Sequence, residues 1–80
     1  MPQPRLTWLN LSGNAIQSCA NFNGHANLKT LLMAENQLVN CAGFQNLDNL
    51  GELNLSQNQI TTLVDMKALP ALKKLDVSKN

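Results

Sequence analysis

Few side chains in this sequence could do chemistry, and most of them recur at one spacing. Cys19, Cys41 and His25 are the nucleophilic or metal-ligating candidates. Metal sites need clustered ligands, and with a single histidine the His and Cys residues do not assemble a set at useful spacing. His25 reads as a partly buried, hydrogen-bonded side chain. The acids Glu52 and Asp76 are not paired on one frame position, and no glycine-rich phosphate loop or nucleophile–base pair is present. No catalytic residue, cofactor or metal is therefore expected. Asn10-Leu-Ser12 and Asn54-Leu-Ser56 match the glycosylation sequon, but the repeating frame itself generates that string.

The asparagines are the more informative chemistry. Asn14, Asn36, Asn58 and Asn80 stand 22 residues apart. A carboxamide carries donors and an acceptor on a short stem. It can pair the backbone groups that a tight bend turns inward, where each unpaired group costs about 1–3 kcal/mol. The four residues are expected to form a ladder that satisfies the bends of adjacent turns.

That spacing belongs to a longer frame. Leu6-Thr-Trp-Leu9-Asn-Leu11-Ser-Gly-Asn14-Ala-Ile16 is repeated from Leu28, Leu50 and Leu72. Within it, L-x-L alternates with period two, so Leu9 and Leu11 face one side and Trp8, Asn10 and Ser12 the other. Each copy is a short strand, and 22 residues take the chain round once. Successive strands then run parallel, about 4.8 Å apart. Leucines are buried only by the turns on either side, so about three copies are the minimum for stability. The frame divides the chain into a lead-in at 1–5, repeats at 6–27, 28–49 and 50–71, and a truncated repeat at 72–80, all one domain. Neither end carries a polar cap, so a segment of a longer array is expected, with further repeats or a cap at both ends.

With those motifs, the chain resembles leucine-rich repeat proteins over residues 4–80. Its 22-residue period, with apolar positions three, six and nine residues after Ile16, Leu38 and Ile60, is similar to the class typified by a regulatory subunit of protein phosphatase 1. The Pro4-Arg5-Leu6 … Leu9-Asn10-Leu11 … Gly13-Asn14 … Ile16 string is loosely similar to repeats of axonemal proteins. The resemblance implies an α/β-type solenoid: a right-handed coil with a parallel β-sheet on its concave face and short helical, 3₁₀ or irregular segments on its convex face. Val64–Leu69 is the stretch best suited to helix.

The return limbs place Cys19 and Cys41 at one site in consecutive turns, with Leu63 next. Neighbouring turns approach disulfide range, about 4.4–6.8 Å between Cα atoms. Two small buried thiols are the expected state, bridging being the alternative. Phe22, Phe44 and Met66 form an inward column, and Leu47 and Leu69 follow the position of His25.

Solenoids bind through the concave sheet. Its expected partner-binding columns are Trp8, Thr30, Glu52, Lys74 and Asn10, Leu32, Asn54, Asp76; then come Ser12, Ala34, Ser56, Ser78 and Gly13, Glu35, Gln57, Lys79. Trp8 and Leu32 are large apolar residues on a wet face, and tryptophan is enriched among residues that dominate binding energy. Lys73 and Lys74 read as a solvated edge. A net charge of +1 with 14% charged residues provides no field for nucleic acid. No apolar run is long enough for a membrane span, and Met1-Pro-Gln-Pro-Arg5 lacks the features of a secretory signal. A non-catalytic protein-interaction scaffold in the cytoplasm, in a cytoskeletal or ciliary setting, is the expectation. A phosphatase regulatory subunit or a segment of an extracellular recognition ectodomain is the alternative.

Overall fold

The computed structural model describes residues 6–18, 27–40, 47–62 and 69–80. The expectations for Cys19, Phe22, His25, Cys41, Phe44, Leu63 and Met66, and most of the Val64–Leu69 stretch, lie outside those residues. Four three-residue strands form one sheet: β1 (Trp8–Asn10), β2 (Thr30–Leu32), β3 (Glu52–Asn54) and β4 (Lys74–Asp76). They stand in chain order and every neighbouring pair is parallel. The central leucines are in exact register, Leu9 opposite Leu31, Leu31 opposite Leu53 and Leu53 opposite Leu75. A slip of one residue would turn every leucine to the other face, and the 22-residue period sets each beside its own copy.

Backbone pairing runs beyond the strands. At their starts, Lys29 and Thr30 both donate to the Thr7 carbonyl, and Gly51 and Glu52 to that of Lys29. After the strands the direction reverses: Leu11 donates to Leu32, Met33 to Asn54 and Leu55 to Asp76. Neighbouring turns are thus tied on both sides of each short strand.

The interior is Leu28, Leu31, Met33, Leu38, Leu47, Leu50, Leu53, Leu55 and Ile60, with Leu6, Leu9, Leu11, Ile16, Leu69, Leu72 and Val77 packed against it. Each fully buried leucine contributes about 1.5–3 kcal/mol. The stack decides the burial: Leu31 and Leu53 lie between two strands and are fully covered, whereas Leu75, at the same frame position in β4, is 38% exposed.

The bend after each strand passes through a left-handed residue. Gly13, Glu35, Gln57 and Lys79 have φ of 74°, 57°, 56° and 59°. These four share one frame position, and three carry a side chain that pays roughly 1–2 kcal/mol to be there. The amides of Gly13, Glu35 and Gln57 donate to the carbonyls of Ala34, Ser56 and Ser78 in the following turn, which holds the bend in place. Ala15, at φ 56°, adds a second left-handed residue to the first bend.

Candidate functional site

Period-two alternation sends the two ends of each strand to the face opposite the leucines. One register file is Trp8, Thr30, Glu52, Lys74, and the other is Asn10, Leu32, Asn54, Asp76. All eight expected contact residues therefore share the solvent side of one sheet. Trp8 is 56% exposed. Thr30, Leu32, Glu52 and Asn54 are half-buried by their neighbours in the stack. Lys74 Nζ lies 3.9 Å from Glu52 Oε2, a surface pair worth under about 1 kcal/mol.

The second file is held from below. Asn10 Oδ1 accepts the Ser12 N–H at 3.0 Å, Asn54 Oδ1 accepts that of Ser56 at 3.0 Å, and Asp76 Oδ1 accepts that of Ser78 at 3.0 Å. These turns fix the side chains and spend one oxygen of each on the backbone. In Asp76 the Ser78 backbone N–H, and then the Ser78 hydroxyl, hold the carboxyl below the ordinary carboxylate range. Partial burial opposes that shift, and Lys74 adds a smaller push in the same direction. Asp76 is thus a fixed negative charge at one end of the file.

β2 departs from this pattern. Leu32 cannot accept a hydrogen bond, and the Ala34 N–H is instead taken by Ser12 Oγ from the previous turn at 3.1 Å. Repeat 2 has given up its own turn acceptor, and the result is an apolar side chain between Asn10 and Asn54.

Two columns expected on the binding face have other work. Ser56 is buried, and Ser12, Ser56 and Ser78 serve the backbone turns just described. Gly13, Glu35, Gln57 and Lys79 occupy the left-handed bend. Their signal in the sequence was faint: only Gly13 has the residue type that such a position favours.

The asparagine file lies beyond the bend. Asn36 Oδ1 accepts the Asn14 and Ile16 N–H groups of the preceding turn at 3.0 and 2.9 Å. Its Nδ2 donates to Leu11 in that turn and to Met33 and Ala34 in its own. Asn58 likewise accepts from Leu38 and donates to Met33, Leu55 and Ser56; Asn80 accepts from Ile60 and donates to Leu55, Val77 and Ser78. Asn14 donates to Leu11 and Ser12. Asn36 and Asn58 are buried, while Asn14 and Asn80 are exposed. These residues hold the turns together.

Among the described residues, no three His, Cys, Asp or Glu side chains come together as a metal site. Among the described residues, no helix is long and apolar enough to cross a membrane. No curated protein and no solved structure matches the chain. The family model described as leucine rich repeat matches residues 39–80, more than half of the sequence. That match covers β3, β4 and the turns that carry Asn58 and Asn80, and with the parallel sheet and its 22-residue register it shows that the chain belongs to the leucine-rich repeat family.

Proposed function

We propose that the protein is a non-catalytic interaction scaffold that holds a protein partner across the solvent face of the sheet, the concave face of the expected coil. Leucine-rich repeats commonly mediate protein–protein interaction, which supports a binding role in general. The observation that carries the site is β2: it replaces the turn-forming Asn–Ser pair with Leu32 and Ala34 and places Leu32 diagonally across from the exposed Trp8. An apolar pair on a face otherwise lined by amides and charges is a natural anchor. Thr30 and Glu52 flank it, and Lys74 and Asp76 supply a charged end.

The setting we infer is cytoskeletal or ciliary assembly within the cell. It rests on the likeness of the Pro4–Ile16 string to axonemal repeats. Affinity capture tests the surface. Wild type and the Trp8→Ala/Leu32→Ala double variant, both verified as folded by circular dichroism, are compared for the proteins they retain. Partners lost by the variant support the reading, and identical partner sets remove this face from it. A tagged full-length protein absent from axonemes and cytoskeletal fractions would remove the setting alone.

A further inference from the structure

The second register file presents two donors of fixed orientation. The carboxamide oxygens of Asn10 and Asn54 are occupied by the Ser12 and Ser56 amides. Their Nδ2 groups have no hydrogen-bond partner among the described residues. Because the oxygen of each is tied to the turn, the NH₂ group is the part left for a ligand. The two asparagines stand two strands apart, about 9.6 Å at the usual spacing of parallel strands. Leu32 lies between them, Trp8 stands on the diagonal, and the Asp76 carboxylate follows Asn54 one strand further on.

A donor–apolar–donor–anion sequence of this pitch selects a ligand backbone. A polyproline II helix repeats every three residues and rises about 3.1 Å per residue, so carbonyls i and i+3 point the same way about 9.3 Å apart. Those carbonyls have no internal partner and are free to accept. An ordinary extended strand fits poorly: at about 3.3 Å per residue, a separation of three residues turns the second carbonyl to the opposite side. An α-helix has already used its carbonyls.

We propose that the sheet face binds a proline-rich segment of a protein partner in polyproline II conformation, lying across the strands. Asn10 and Asn54 donate to its carbonyls i and i+3. A proline or leucine between them rests on Leu32 and the edge of Trp8. A lysine or arginine beyond carbonyl i+3 pairs with Asp76, which its Ser78 hydrogen bonds keep in place. Glu52 and Lys74 neutralise one another beside this track. The assignment rests on the binding role of this face and specifies the chemistry of the ligand.

Trp8 is the sole tryptophan and is exposed, so its fluorescence reports the site directly. The full chain is titrated with the capped peptide Pro-Pro-Leu-Pro-Pro-Arg and with its reverse, so that either chain direction is sampled. Two controls accompany them, one with every proline replaced by glycine and one with arginine replaced by glutamate. Saturable binding is expected for at least one proline peptide, weakened tenfold or more in the glycine control and several-fold in the glutamate control. Asn54→Asp keeps the turn acceptor, as Asp76 does in β4, and deletes the donor; it is expected to weaken binding about tenfold. Leu32→Asn installs the residue that its neighbours already carry and is expected to weaken it as much without unfolding the chain. Asp76→Asn is expected to erase the difference between the arginine and glutamate peptides. The proposal is overturned by equal binding of the proline and glycine peptides, by no effect of Asn54→Asp, or by no saturable signal from any peptide. If the peptides fail while the Trp8→Ala/Leu32→Ala variant still loses a captured partner, the ligand class is wrong and the binding face stands.

Discussion

Asn36 reaches back 25 positions to Leu11: its Nδ2 donates to the Leu11 carbonyl at 3.0 Å from a side chain that is almost fully buried. The same amide closes its own bend through Met33 and Ala34, and its Oδ1 holds the Asn14 and Ile16 N–H groups. One residue therefore satisfies backbone groups in two turns. Shape alone does not replace it, because an aspartate has lost the donors and an alanine both functions.

Asn36→Ala is expected to cost about 3 kcal/mol, since several backbone groups lose their partner away from water. In a domain of this size each kcal/mol lowers the melting temperature by about 4–8 °C. Exposed Asn80, with half of its surroundings open, is expected to cost under about half as much. Urea unfolding of both variants beside a Gln59→Ala surface control measures this, and an Asn36→Ala shift no larger than the control contradicts the ladder.

The left-handed bend makes an opposite prediction at Gln57. Replacing it with glycine removes the steric cost of φ 56° and adds chain entropy to the unfolded state. The expected net change is a gain of up to about 1 kcal/mol, whereas a β-branched valine is expected to lose more than 1 kcal/mol. Glycine at exposed Gln59, which has no such φ, is expected to bring no gain. A fall in stability on Gln57→Gly would show that the side chain is needed at the bend.

Ser12 and position 32 are expected to be coupled through the Ala34 amide, whose N–H Ser12 Oγ accepts. Ser12→Ala leaves that N–H without its acceptor and is expected to cost about 1 kcal/mol. Leu32→Asn supplies a local acceptor two residues before Ala34, as Asn10 and Asn54 do for Ser12 and Ser56. In that background Ser12→Ala is expected to be nearly silent. A double-mutant cycle by chemical denaturation reads the coupling, expected at about 0.5–1 kcal/mol. Strict additivity would rule out the exchange of acceptors.

Asp76 predicts a pH dependence with a definite sign. Its carboxyl is held below the ordinary range mainly by the Ser78 backbone N–H. A group depressed in the folded state contributes stability above its unfolded pKa, near 4 (roughly), and loses it as the pH falls through the folded value. Between about pH 5 and pH 2, wild type is expected to lose more stability than Asp76→Asn, whose neutral carboxamide keeps the turn acceptor. Urea midpoints across that range give the comparison, and parallel curves would show that the ionised form is not favoured by folding.

Much of the architecture was legible in the sequence. Leucines at one 22-residue spacing already specified parallel strands with Leu9, Leu31, Leu53 and Leu75 in line, because a turn of fixed length brings each residue beside its own copy. The same rule placed Trp8, Leu32 and the other strand-end residues on one face, and put the four asparagines at one position of the frame. What the alternation could not separate was exposed side chains from those spent on the backbone. Ser12 looked like a surface residue, yet its hydroxyl serves the Ala34 amide, and Gln57, exposed as expected, also bears a left-handed bend. Burial was equally undecided: Leu53 and Leu75 are identical in the frame and differ only in what lies above them. The period settled the stacking because it is a one-dimensional property of the chain. The hydrogen-bond partners and the covered surfaces were decided by tertiary structure, because they belong to groups 20 to 25 positions apart that meet only once the turns are stacked.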